Sequence, residues 1–184
     1  MSDSPNISTQ LIHADVLDAL KEMPTESVDF IFADPPYFLS NDGFTVKSGK
    51  AVSVNKGAWD KSFGFESEME FHEAWIAECL RVLKPNGTIA ISGTYHSIYK
   101  CGFLLQKLDC RLINDITWFK PNGAPALAGR NFTASHETIL WASKGKKAKG
   151  GSIIGVRSTL IFCLIGVRSI LIFCDPQRTM CLIN

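Results

Sequence analysis

Four consecutive residues, Asp34-Pro35-Pro36-Tyr37, carry the chemistry most readily recognised in this chain. Two prolines restrict the backbone, so the Asp34 carboxylate and the Pro35 carbonyl are held at a fixed spacing. Two fixed acceptors suit an exocyclic amine with two hydrogens, such as adenine N6. Accepting both hydrogens turns the nitrogen lone pair out of the ring plane, towards an electrophile. Tyr37 offers a face on which an extruded base can stack, a contact worth roughly 1–3 kcal/mol. The catalysis so implied is mainly one of orientation, and it requires neither a metal nor a covalent intermediate. The competing reading is a proline-rich turn that merely ends a strand, and the surrounding elements decide between the two.

Those elements alternate. Leu11–Asp15 reads as a short strand ending in an acid, and Val16–Met23 as a short helix with Leu17, Leu20 and Met23 at helical spacing. Asp15 is a candidate N-cap for that helix. Val28–Ala33 is a β-rich apolar run of the kind found in a buried parallel strand. It stops where proline can no longer donate to a ladder, and the C-terminal end of such a strand is where ligands bind in an open α/β sheet. Phe38–Lys61 is expected to be a long loop, with Gly43, Gly49 and Gly57 spread through it. Glu66–Leu83 is an amphipathic helix with Phe71, Trp75, Ile76, Cys79, Leu80 and Leu83 on one face, stopped by Pro85-Asn86-Gly87. Strands at Thr88–Ser92, Leu112–Phe119 and Glu137–Ala142 and a helix at Tyr95–Leu108 complete an α/β pattern. Lys120, Asn122 and Arg130 lie on or beside a loop rich in Gly, Pro and Asn, where they are candidates for phosphate contacts.

Composition narrows the class. The chain has 184 residues, 46% hydrophobic and 20% charged, with a net charge of +1, so overall charge alone does not mark a nucleic-acid binder. None of the six cysteines forms a C-x-x-C pair, which argues against a zinc or redox motif. Met1–Gln10 lacks the basic-then-apolar pattern of an export signal. Free thiols and a cytoplasmic location are therefore expected, with no membrane association.

Taken together, these stretches resemble the DNA amino-methyltransferases of the β-class arrangement, in which the catalytic motif lies near the N-terminus. Ser27–Tyr37 is similar to the catalytic motif, Trp59-Asp60-Lys61 to the triplet that follows its loop, and Arg81–Thr88 to the motif after the next helix. Ile116–Lys120 and Phe132–Ala142 are similar to the later motifs of the catalytic half. Phe38–Asn41 and Val52–Gly57 narrow the likeness to the second methylases of DpnII-type, GATC-specific restriction–modification systems. The resemblance implies an α/β fold, a partial Rossmann-like methyltransferase sheet. It implies adenine N6 of GATC, in duplex or single-stranded DNA, as substrate and S-adenosyl-L-methionine as methyl donor, with no metal. A homodimer is compatible with it. Asp34, Pro35, Pro36 and Tyr37 would be catalytic, and Asp15 and Asp34 would lie against the cofactor. An aspartate at position 34 leans towards adenine; cytosine-N4 enzymes more often carry serine there, and protein-glutamine enzymes asparagine.

The likeness stops near residue 145. The β-class pattern continues with a recognition region and an F-x-G-x-G loop around the methionine moiety of the donor, yet the chain contains no G-x-G. Residues 1–145 therefore read as the catalytic half, and residues 146–184 as an irregular, aberrant tail in place of the recognition region and cofactor loop. Lys144, Lys146, Lys147 and Lys149 read as a solvated basic linker. The tail holds a tandem repeat, IIGVRSTLIFC at 153–163 and LIGVRSILIFC at 164–174, expected from a frameshift or read-through. Without the missing strands, Val28–Ala33 is expected to lie at an exposed, aggregation-prone edge. Two functional readings follow: a methyltransferase whose cofactor site a partner completes, or an inactive remnant with weak DNA binding.

Overall fold

The computed structural model describes residues 9–38, 44–47, 50–53, 64–123, 130, 132–145, 160–164 and 170–174. Strand β1 (Thr9–His13) leads into helix α1 (Val16–Lys21), and β2 (Val28–Asp34) ends at the first residue of the tetrad. Between residues 38 and 61, where a loop was expected, β3 (Phe44–Lys47) and β4 (Lys50–Ser53) pair as an antiparallel two-stranded sheet. Helix α2 (Phe65–Val82), strand β5 (Leu83–Gly93), helix α3 (Ile98–Lys107), β6 (Arg111–Phe119) and β7 (His136–Ser143) follow. Strands β8 (Leu160–Leu164) and β9 (Ile170–Cys174) come from the repeated C-terminal segment.

The main sheet has seven strands in the order β1-β9-β8-β2-β5-β7-β6. Strand β2 runs parallel to β5 and to β8, whereas β7 is antiparallel to both of its neighbours, β5 and β6. The sheet is therefore mixed, an arrangement that alternation of apolar runs does not reveal. The edge expected at Val28–Ala33 is not found: Phe30–Asp34 pair in register with Leu160–Leu164 on the side away from β5. The β-prone character of the two LIFC segments, which predicted aggregation, serves here to fill the sheet. Pro85-Asn86-Gly87 does not separate a helix from a strand but lies inside β5. Val28 pairs with Leu83 and Phe30 with Thr88, so the extra residues of β5 bulge out between two stretches of ladder. Gly87 is needed there, because a Cβ would stand 2.9 Å from Leu83 Cδ2 and 3.1 Å from the Asp29 carbonyl oxygen.

The core lies between the sheet and the three helices. Trp75, Ile76, Cys79 and Val82 of α2, with Leu104 and Leu105 of α3, share one buried cluster with Ile31 and Ala33 of β2 and Ile89 and Ile91 of β5. Helix α1 is tied down by Arg81, whose guanidinium donates to the carbonyls of Leu20 (2.6 Å) and Met23 (3.0 Å). Lys144, read as part of a solvated linker, instead donates to the Leu83 carbonyl at 2.7 Å and reaches Glu26 at 3.3 Å. Lys146, Lys147 and Lys149 lie outside the described residues. Cys79, Cys101 and Cys110 are buried and form no disulfide, and burial pushes the Cys101 thiol up to about 12 and the Cys110 thiol up to about 11. No helix among the described residues is long and apolar enough to cross a membrane.

Candidate active site

The tetrad sits where the parallel strands β2 and β5 end together. Pairing of Ala33 with Ile91 sets the register, and one residue further on Ser92 and Asp34 meet. The Ser92 hydroxyl donates to Asp34 Oδ1 at 2.7 Å and lies 3.3 Å from the Ala33 carbonyl. The Tyr37 hydroxyl donates to the same Oδ1 at 2.6 Å. Among the described residues no hydrogen bond is made to Oδ2. Burial, followed by the hydrogen bond to Asp34 and that carboxylate's charge, pushes the Tyr37 phenol far above its ordinary range. Tyr37 is thus a neutral donor at any ordinary pH. Pro35 and Pro36 are buried.

Immediately after the tetrad the backbone turns sharply. Phe38 has φ +55°, a left-handed conformation that is strained for a bulky side chain. Its ring packs edge-on against Phe71 and His72 of α2, with centroids 5.7 and 5.4 Å away. Packing of that kind is what can hold a strained turn, and so it fixes where the tetrad ends. His72 is itself fully buried. Its Nδ1 accepts from Trp75 Nε1 at 3.1 Å and lies 3.8 Å from Cys101 Sγ, while the Lys100–Glu68 ion pair sits alongside.

Burial, then the nearby Lys100 charge, hold the His72 imidazole down to about 4, against an opposing pull from Glu68. The folded state therefore keeps His72 neutral where the unfolded chain protonates it. Its contribution is present above about pH 6.5 and is lost as pH falls towards 4. The loss amounts to about 3 kcal/mol when complete. Denaturant titrations from pH 7.5 to 4 are expected to show this decline, and His72→Phe to flatten it at the cost of a pH-independent loss from the unpaired Trp75 Nε1.

The other expected residues fall at various distances from this centre. Lys120 forms an ion pair with Glu137 and stands 4.7 Å over the Trp118 ring. Glu137 also acts on the Tyr37 phenol, so this cluster borders the tetrad. Asn122 and Arg130 are exposed. Asp15 is not brought to Asp34. Its strand β1 is separated from β2 by β9 and β8, roughly 14 Å at ordinary strand spacing. Its carboxylate caps α1, accepting from the Leu17 amide at 2.9 Å, which is the helix-cap alternative. Trp59-Asp60-Lys61 and most of the Phe38–Asn41 segment lie outside the described residues. Ser92 and Glu137 had no signal in the sequence as site residues, because only sheet pairing brings them to Asp34 and Tyr37. The described residues fit an amine acceptor. Among the described residues no glycine-rich loop stands on the donor side.

Comparison with known proteins decides the family. The chain matches the N6_N4_Mtase family, described as DNA methylase, over residues 28–177. It belongs to that family. It is 52% identical over 137 residues to the Type II methyltransferase M2.DpnII of Streptococcus pneumoniae, covering 74% of this chain and 51% of that protein. With M2.MboI of Moraxella bovis it shares 45% identity over 146 residues, covering 79% and 53%. The chain thus spans about half the length of the curated relatives it matches. Among solved structures, the M1.HpyAVI–SAM complex superposes with a TM-score of 0.50 at 24% identity, covering 78% of this chain and 57% of that one. The PvuII cytosine-N4-specific DNA methyltransferase does so with a TM-score of 0.52 at 18% identity, covering 72% and 48%. These likenesses show that the α/β methyltransferase fold is shared. By lineage the chain is thus related to Type II methyltransferases within the N6_N4_Mtase family.

Proposed function

We propose that this chain carries the acceptor half of a DNA adenine-N6 methyltransferase, acting in GATC. The observation that carries the reading is the Asp34 carboxylate at the end of β2, pinned through one oxygen by Ser92 and Tyr37. Asp34 Oδ2 and the Pro35 carbonyl accept the two amine hydrogens, and Tyr37 stacks on the extruded base. S-adenosyl-L-methionine, when bound, supplies the methyl group; its use is supported by the neighbour solved in complex with it. On the acceptor side the chain orients the amine lone pair and fixes it, an effect of position rather than of acid–base chemistry. Lys120, Asn122 and Arg130 make phosphate contacts that hold duplex or single-stranded DNA over the tetrad. Residues 1–145 are the catalytic half, and residues 146–184 stand in place of the recognition region and cofactor loop.

A second reading, cytosine-N4 methylation, draws on the same amine geometry and on the fold shared with a cytosine-N4-specific enzyme. Aspartate at position 34 favours adenine. The test is methyl transfer from labelled S-adenosyl-L-methionine to unmethylated DNA containing GATC, with nucleoside analysis of the product. Label in N6-methyladenine is expected. Label in N4-methylcytosine would support the second reading, and no transfer by soluble protein would mark the chain as an inactive member of its family.

A further inference from the structure

Ser92 lies on β5, outside the tetrad, and is almost fully buried at 2% exposure. A buried hydroxyl must place its proton somewhere, and the Ala33 carbonyl at 3.3 Å is within reach. The shorter contact, however, runs to Asp34 Oδ1 at 2.7 Å. A serine hydroxyl has one proton, so it serves the better-placed charged acceptor. The Tyr37 hydroxyl brings its own single proton to the same oxygen at 2.6 Å. Both donors therefore converge on one side of the carboxylate, and the plane of the carboxyl group is set by two directions, one from the neighbouring strand and one from the turn.

The two anchors are not equivalent. Tyr37 sits on the turn just before the strained Phe38 and, in the proposed reaction, has to take up an incoming base. Ser92 belongs to a strand in the centre of the sheet, paired on one side with β2 and on the other with β7. Its position does not depend on the turn. A methyl group in its place would leave Asp34 held by Tyr37 alone, and the carboxylate would follow the tyrosine when it moves.

We propose that Ser92 is a positioning residue for the methyl-transfer site: it locks Asp34 Oδ1 from the β5 side, so that Oδ2 is the oxygen presented to the substrate amine. The proposal rests on the acceptor-site reading given above. Two readouts separate the fate of each. In the full chain carrying 13Cγ-labelled aspartate, with the Asp34 resonance assigned by its absence in Asp34→Asn, Ser92→Ala is expected to shift that resonance and to perturb the Tyr37 ring signals. Ser92→Thr, which keeps the hydroxyl, is expected to leave them near wild type. In methyl transfer, Ser92→Ala is expected to lower kcat by roughly 10–100-fold, the scale of a small misplacement of a reacting group, with KM for DNA little changed and Ser92→Thr restoring most of it. An Asp34 resonance that does not move in Ser92→Ala would overturn the proposal. If Ser92→Ala does not fold, Ser92→Cys, of similar shape but with a weaker donor, gives the same resonance test. A wild-type chain that transfers no methyl group counts against the methyltransferase reading, while the resonance still decides the role of Ser92.

Discussion

Asp34→Ala is expected to lower methyl transfer to adenine by at least about 10²–10³-fold, the scale on which loss of one preorganised polar contact at a reacting centre is felt. The substitution removes the acceptor for an amine hydrogen. It also removes the oxygen on which Ser92 and Tyr37 converge, at 2.7 and 2.6 Å. Both hydroxyls then lose that shared acceptor, and Ser92 is left with the Ala33 carbonyl at 3.3 Å. The loss should therefore fall on kcat, with base stacking and the phosphate contacts keeping KM for DNA close to its original value. Single-turnover transfer of labelled methyl groups, wild type beside variant, measures this. A variant that retains more than a tenth of wild-type kcat, an estimate set well above the scale just given, would show that Asp34 does not orient the amine. Asp34 stands at the end of a fully paired strand, so thermal melting of the variant is expected to stay near wild type.

The largest stability effect is expected at Trp75. It heads the fully buried side chains of the core and has no solvent exposure. Trp75→Ala leaves a cavity between α2 and the sheet and is expected to cost about 3–5 kcal/mol, measured by urea denaturation. The indole also donates to His72 Nδ1 at 3.1 Å, and His72 packs against Phe38, the residue that follows the tetrad. The variant should therefore loosen the turn at Tyr37 as well as the core. Trp75→Phe, which fills much of the space without the N–H, separates the two contributions: stability should return in large part, while the His72 ring signals should remain altered. A Trp75→Ala variant as stable as wild type would place the core elsewhere.

Much of this chain was legible before any fold was known. The β-branched and aromatic run at Val28–Ala33 demanded a strand, and the prolines that follow demanded its end. The apolar spacing from Phe71 to Leu83 demanded a helix with Trp75 inwards, and Trp75, Ile76 and Cys79 are indeed buried. The tetrad could be singled out because the chemistry proposed for it is local: four adjacent residues offer an acceptor pair and a stacking ring, and no other element is needed to name them. The same locality explains why Asp15 was ambiguous, since a carboxylate at a strand end serves equally as a ligand or a helix cap, and here it caps α1.

What the tertiary structure alone decided is non-local. Strand order depends on which hydrogen-bonding edges meet, a choice made over the whole chain and not visible in any short window. Hence the antiparallel wedge of β7 between β5 and β6, and the entry of β8 beside β2 where an open edge was expected. The small sheet at residues 44–53 escaped notice because its segments are short and glycine-spaced. Ser92 was indistinguishable from any strand serine until parallel register set it beside Asp34, fifty-eight residues away in sequence. Sequence by itself singled out the residues suited to the proposed chemistry. Only the pairing of strands decided which neighbours hold them in place, because that contact arises between segments whose proximity no local propensity encodes.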